Sequence, residues 1–551
     1  MHFPLLTFAI LATGACAINN GFGRTPVMGF NTYNDVSCNP NQQYMYDTMD
    51  SFAHRGFAGL GYKYLQIDCG WQSTTNRRQA NGSLDWDRTA FPNGIRALAD
   101  RAISLGFKWS MYTDAGVYAC DTRSPLPAGS LGYERQDALQ FAGWNVDYVK
   151  VDNCYIIADQ NAPKDPRTDF PSRFGAMANA LYGVGIKGVL VCQWGTPYIN
   201  SSYGLQGPSA WTPALVNSYR VSDDIARGWS HVRRIFNQAI HVNLAGLSGP
   251  GNFADMDLLE VGNADMTQAE QQTHFAIWAM FKSALMVSTP VPAMSSQTQS
   301  ILQNKGLIAI NQDPLGAPVK LIQRFTNDND CYAGPLANGD VAVLLFDQSN
   351  TARNLYVVFA DLGISTADVT DLYTGTVQRA ASRYGTNVAA HGSLALRLSN
   401  VVRGRTPTAT TTFYSVTTGA LTGNANTQTC AGCSFGRKVG NIDTSSSLTI
   451  SDIRAPTASL DLLFDYINCD VGYLVGNAPN VRGASISVNG GAPVTVEFPL
   501  TGYEWTRDLI KGYKVRLSGF NAGSSQNTVR ITAASSVSNY APDFDRIGIT
   551  G

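Results

Sequence analysis

From about residue 25 to 315, short apolar runs alternate with amphipathic helical segments, and no other feature of this 551-residue chain restricts its fold more. The strand-like runs are Lys63 to Ile67, Lys108 to Tyr112, Tyr148 to Val151, Gly188 to Val191 and Ala239 to Leu244. Helices such as Gly94 to Leu105 and Ala269 to Leu285 lie between or after them. Such sustained alternation predicts an α/β fold, a (β/α)8 TIM barrel over residues 18–316. A doubly wound open sheet is the competitor. Against it, no GxGxxG follows the first strand, and the chemically capable residues follow many strands rather than one switch point.

Over residues 317–402 the pattern changes to short alternating strands such as Asp340–Phe346 and Ser393–Leu398, which predicts a small antiparallel β domain. Residues 403–412, RGRTPTATTT, read as an exposed Thr/Pro linker. Short β runs resume over 413–551, as in Ala484–Asn489 and Asn527–Ile531, and predict a separate β-sandwich module. Its removal is expected to leave the chemistry of the preceding domains intact.

Residues 1–17 end in Ala15-Cys16-Ala17 after an apolar stretch, the pattern of a cleaved signal peptide, although no Lys or Arg precedes it. Two N-x-S sequons, at Asn81 and Asn200, agree with a secreted, glycosylated protein. Loss of Cys16 from ten cysteines leaves nine, so at least one thiol is expected to stay unpaired. Forty Lys+Arg against 41 Asp+Glu give no basic field for nucleic acid and favour a neutral substrate. No apolar run reaches the ~18 residues that a membrane span requires.

Polar residues sit at the ends of the expected barrel strands. Asp68 follows Tyr64–Ile67, Tyr112 and Asp114 follow Trp109–Met111, and Gln193-Trp194 follow Val189–Cys192. Within Asp147–Cys154 (DYVKVDNC), Lys150 and Asp152 are two residues apart and share one strand face. A buried parallel strand followed by an Asp-Asn turn would read the same way. Arg220 to Asp224 add a further cluster. Carboxylates without a zinc or phosphate-loop motif suit acid–base and nucleophilic work on a polyol such as a sugar.

The segments Thr25–Asn34, Asp68–Gln72, Phe91–Ile95, Met111–Gly116, Gly129–Glu134 and Tyr148–Cys154 resemble glycoside hydrolase family 27, the α-galactosidase (melibiase) and α-N-acetylgalactosaminidase group. Cys192–Gly195, Arg220–Ile225, Asp255–Leu258 and Ile308–Gly316 continue the resemblance in order. It implies a retaining exo-glycosidase releasing terminal α-D-galactosyl residues of oligo- and polysaccharides, with Asp152 as nucleophile and Asp224 as acid/base. Asp223 is expected to point elsewhere. Asp68, Tyr112, Lys150, Gln193, Arg220 and Asp257 would line the sugar pocket, with Trp194 and Phe30 as apolar walls. No cofactor or metal is implied for catalysis.

Two positions depart from the family pattern. Its paired acids are here Asp68 and Cys69, and the tryptophan of its Met-Gly-Trp segment is Phe30. Without the second acid, Cys69 would face the sugar's C5 substituent, and galactose-like β-L-arabinopyranosides become alternative substrates. A catalytically inactive sugar-binding protein is the second alternative. The resemblance further implies disulfides Cys120–Cys154 and Cys38–Cys69, and leaves Cys192 as the free thiol. Cys430 and Cys433 are expected to form a local disulfide, whereas Cys331 and Cys469 are left unassigned.

The last module resembles carbohydrate-binding module family 35 through Gly436–Gly440, Ile486–Gly490 and Ala541–Ile547. That implies attachment to plant polysaccharide, with Tyr503 and Trp505 as candidate stacking residues, and allows for a structural calcium ion. Neither nucleic acid nor membrane is an expected partner.

Overall fold

A computed structural model describes residues 17–157, 169–200, 204–325, 329–404, 410–472 and 479–550. The signal-peptide reading up to Cys16, the centre of the Thr/Pro segment and the two serines after Asn200 lie outside the described residues.

Eight parallel strands form the first body: β1 (Met28–Asn31), β2 (Tyr64–Gln66), β3 (Lys108–Asp114), β4 (Val146–Asp152), β5 (Gly188–Val191), β6 (Ser218–Arg220), β7 (Phe253–Asp255) and β8 (Leu285–Val287). They pair in chain order, β8 pairs with β1, and a bridge between Leu259 and Val287 joins the β7 end to β8. The sheet curls as a TIM barrel. Helices follow most strands: α1 (Gln42–His54), α2 (Gly94–Ser104), α3 (Glu134–Gly143), α4 (Phe170–Gly183), α5 (Trp229–Ala245) and α6 (Gln268–Met280). After β5 a ribbon, Tyr198–Asn200 with Gly204–Gln206, and two single-turn helices take the place of a helix. The run Ala239 to Leu244, expected as a strand, lies inside α5.

Strand alternation sorts the side chains. Leu65, Trp109, Val149 and Val189 join the apolar layer beneath the helices. The opposite face is polar and cross-linked, because Asn31 donates to Gln66, Gln66 to Ser110, and Ser110 to the Tyr148 carbonyl. Tyr148 reaches across to Ser218 at 3.3 Å. Buried polar groups are tolerated when partnered, so the barrel interior is a hydrogen-bonded stack that rises toward the carboxyl ends of the strands.

The middle domain is antiparallel, as its alternation predicts, with Val341–Asp347 between Asn329–Pro335 and Ser393–Arg403. The C-terminal β-sandwich is in contact with it rather than apart from it. Lys320–Phe325 pairs in parallel with Ile510–Ser518, so one sheet runs through both domains. Helix α5 lies where the three bodies meet. Its Phe236 packs on Tyr332 and Phe346, and its Arg233 forms an ion pair with Glu497 of the sandwich.

Candidate active site

Two ionic clusters occupy the carboxyl ends of the strands. In the first, Asp68 Oδ2 accepts from Lys150 Nζ at 2.9 Å and from Asn31 Nδ2 at 2.7 Å. The Lys150 ammonium lies 5.5 Å from the Tyr112 ring and 5.8 Å from the Tyr33 ring. Lys150 and Asp152 share a face of β4, as period two requires. Asp152 Oδ1 accepts from Trp194 Nε1 at 2.8 Å and from the Asn153 amide at 2.9 Å. Burial outweighs the nearby Lys150 charge and pushes the Asp152 carboxyl up to about 6.

In the second cluster, Arg220 Nη2 bridges Asp257 Oδ2 at 2.7 Å and Asp224 Oδ1 at 3.0 Å, while its Nη1 donates to the Cys192 thiol at 3.3 Å. Asp223 does not join them: its carboxylate binds Arg234 of α5, whose Nη2 also donates to the Asp224 carbonyl at 3.0 Å. The two acids differ in exposure. Asp152 is buried, whereas the Asp224 side chain is 39% exposed.

The remaining sequence candidates divide. Gln193 Oε1 accepts from the Thr196 amide, but its buried Nε2 has no partner among the described residues, as suits a donor awaiting a ligand. Tyr112 is fully buried, and its hydroxyl is spent on the carbonyl and amide of Cys120. It frames Lys150 with its ring. Phe30 is not a pocket wall: it is buried under the helix layer, 6.0 Å from Phe52, because it alternates with the inward Asn31. Tyr33, half-buried three residues later, presents its ring to Lys150 instead. Burial, joined by the charges on Asp224, Asp68 and Asp152, pushes its hydroxyl up to about 12. The rule that selected Asp68 and Asp152, polar groups just past a strand end, also selects Tyr33.

Disulfides join Cys38–Cys69, Cys120–Cys154 and Cys430–Cys433; Cys192, Cys331 and Cys469 are free and buried. Cys69 is therefore bonded to Cys38 and packs against Tyr112. The Cys120–Cys154 bridge stands just past the end of β4. There Asp114 collects the amides of Gly116, Cys120 and Cys154, while burial and the Asp152 charge hold its carboxyl well above the usual range. Among the described residues only Asp114, Cys120 and Cys154 group as potential metal ligands, and the two sulfurs are bonded to each other. In the C-terminal domain Asp543 is paired with Lys438 at 2.6 Å, so this acid is not a fit for calcium. Tyr503 is buried against the barrel, and Arg482 lies 4.6 Å over Trp505. Asn81 keeps its Oδ1 for Ser83.

Residues 26–313 match the family model described as "Alpha galactosidase A", and residues 326–398 match "Alpha galactosidase C-terminal beta sandwich domain". "Probable alpha-galactosidase D" of Aspergillus fumigatus is 31% identical over 584 residues, covering 88% of each chain. The crystal structure of α-galactosidase I from Mortierella vinacea superposes with TM-score 0.63 at 31% identity, covering 70% of this chain and 100% of that one. A β-L-arabinopyranosidase from Geobacillus stearothermophilus shares the fold at 19% identity and TM-score 0.57, covering 68% of this chain and 96% of that one. No helix among the described residues is long and apolar enough to cross a membrane. The chain belongs to the α-galactosidase (melibiase) group of glycoside hydrolases, family 27.

Proposed function

We propose that this enzyme is a secreted, retaining exo-α-galactosidase that removes terminal galactosyl units from oligo- and polysaccharides. The observation that carries the reading is the unequal setting of the two acids: Asp152 buried beside Lys150, Asp224 at the rim on Arg220. In the first step Asp152 Oδ attacks the anomeric carbon while Asp224 gives its proton to the departing glycosidic oxygen, leaving a galactosyl ester on Asp152. In the second, Asp224 takes a proton from water, which attacks the same carbon and frees the sugar with its anomeric configuration retained. Lys150 with Asp68, Gln193 Nε2, and Asp257 with Arg220 offer donors and acceptors to the sugar hydroxyls. Tyr33 and Trp194 close the rim. These polar groups are nearly all buried, which suits a single terminal sugar rather than a running chain. Catalysis in this family needs no cofactor.

One observation favours the arabinopyranoside reading. The second-acid position is a half-cystine, so no carboxylate there waits for a hydroxymethyl group. Turnover of 4-nitrophenyl α-D-galactopyranoside, β-L-arabinopyranoside and α-N-acetylgalactosaminide separates these readings, and proton NMR of the first-formed sugar tests its stereochemistry. The galactoside is expected to be the best substrate, with α-galactose formed first. Initial β-galactose would exclude the double displacement, and failure to turn over any of the three would leave a sugar-binding protein.

A further inference from the structure

The chain reaches the acid/base candidate by a route no catalytic motif includes. Asn480, in the C-terminal β-sandwich, is buried and donates from Nδ2 to the Arg234 carbonyl at 3.4 Å and to Gln238 Oε1 at 3.2 Å. Next to it the Pro479 carbonyl accepts from Asn237 Nδ2 at 2.9 Å. All three barrel partners lie on α5. The guanidinium of Arg234 then grips the tip of the loop after β6, through the Asp223 carboxylate and the Asp224 carbonyl. A second contact braces the loop after β5, which carries Gln193 and Trp194. The Tyr503 ring fills the space beside Gly207, where a Cβ would come within 2.1 Å of it, and Arg507 Nη2 lies 3.4 Å from the Leu205 carbonyl.

We propose that the C-terminal β-sandwich is a positioning element of the active site, with Asn480 holding α5 so that Arg234 can set Asp224 over the glycosidic oxygen. The inference rests on Asp224 being the acid/base. Catalytic groups lose effect when displaced by about 1 Å, and Asp224 stands on a loop held by Arg220, by the Val221 and Ile225 amides on Asp255 and Asp257, and at its tip by Arg234 of α5. This places the domain within the catalytic machinery rather than at the end of a tether for polysaccharide.

The test is leaving-group dependence. Raffinose expels a disaccharide through an alkoxide oxygen that needs a proton, whereas 2,4-dinitrophenyl α-D-galactopyranoside expels a stable anion that does not. Asn480 has φ +52°, which glycine adopts freely, so Asn480→Gly removes the amide without straining the backbone. Its kcat/KM is expected to fall about tenfold or more on raffinose and less than about threefold on the dinitrophenyl substrate. In an Asp224→Asn background the same change should cost raffinose nothing further, because the effect passes through Asp224. Equal losses on both substrates, no loss, or full additivity overturns the proposal. Asp224→Asn alone reports on the parent reading: if it does not discriminate between the substrates, the acid/base assignment fails instead. Should Asn480→Gly not fold, Arg234→Lys keeps a cation for Asp223, drops the second donor to Asp224, and carries the same ratio.

Discussion

The two sides of the active site are built by opposite means. On the nucleophile side Asp152 closes a seven-residue strand, with the Cys120–Cys154 bridge just past its end and the Asp114 amide cluster beside it. The residues that bond to it directly, Trp194 and Asn153, both belong to the barrel. On the other side Asp224 stands on a loop, partly exposed, and depends on ion pairs to Arg220 and on a helix clamped between two further domains. A strand end fixes a nucleophile through covalent geometry and ladder bonds, while a loop acid borrows rigidity from whatever packs on it. The barrel thus accounts for one half of the chemistry, and the β domains for much of the other.

The largest effects should separate the two acids. Asp152→Asn is expected to lower kcat by at least about a thousandfold on every substrate, since no other described carboxylate shares its place. Asp224→Asn should match that loss on raffinose yet keep most of kcat/KM for the dinitrophenyl galactoside, while kcat falls because the ester on Asp152 then lacks its general base, and azide should restore part of that kcat. Near-normal turnover by Asp152→Asn would end the nucleophile assignment. Truncation after residue 404 comes next. The sequence suggests a spare module, but its removal would bare the Lys320–Phe325 edge and empty the Tyr503 contact at Gly207. A loss of about tenfold or more on raffinose, or failure to fold, is expected. Full activity in a soluble truncated enzyme would return the domain to the role of a tether.

The nucleophile side has its own signature in pH. Asp152 must be ionised to attack, and its carboxyl is held at about 6, so kcat/KM should fall about tenfold per unit below that pH. Lys150 is the main influence lowering it. Lys150→Met should therefore move the acid limb upward, in addition to weakening sugar binding at Asp68. An acid limb that stays put in this variant would mean that another group governs it.

Much of the nucleophile side was legible because it is local. Lys150 and Asp152 are two residues apart on a seven-residue strand, and Asp68 follows its own strand by the same logic. The acid side was not, since Asn480 and Arg234 are 246 residues apart and their contact leaves no periodic trace. Helix α5 was misread over Ala239–Leu244 for a related reason. Its polar stripe of Arg234, Asn237, Gln238 and His241 is buried, and within it Ile240-His241-Val242-Asn243-Leu244 alternates apolar and polar side chains, so this short run taken alone carries a strand's period. Strands β1, β6, β7 and β8 have only three or four residues each, too few for alternation to show. Phe30 and Tyr33 exchanged roles because motif matching aligned the aromatic ring, whereas strand parity decides which ring faces the pocket.

The smallest expected effect tests whether the nucleophile's setting costs stability. Burial raises the Asp152 carboxyl from 3.8 to about 6 in the folded protein. The folded state therefore binds this proton more tightly than the unfolded chain, and ionisation disfavours folding as pH rises through that interval, in full above it. An asparagine in its place would carry no charge at any pH, and its carbonyl can still accept from Trp194 Nε1 and the Asn153 amide. Asp152→Asn should then melt above wild type at pH 7, by the equivalent of up to about 3 kcal/mol, and converge with it below about pH 4. No comparable gain is expected from Asp224→Asn, which forfeits an ion pair at a partly exposed site. If Asp152→Asn melts with wild type at both pH values, the buried carboxylate is fully compensated by Lys150 and Trp194, and the contrast between the two sides is one of anchoring alone.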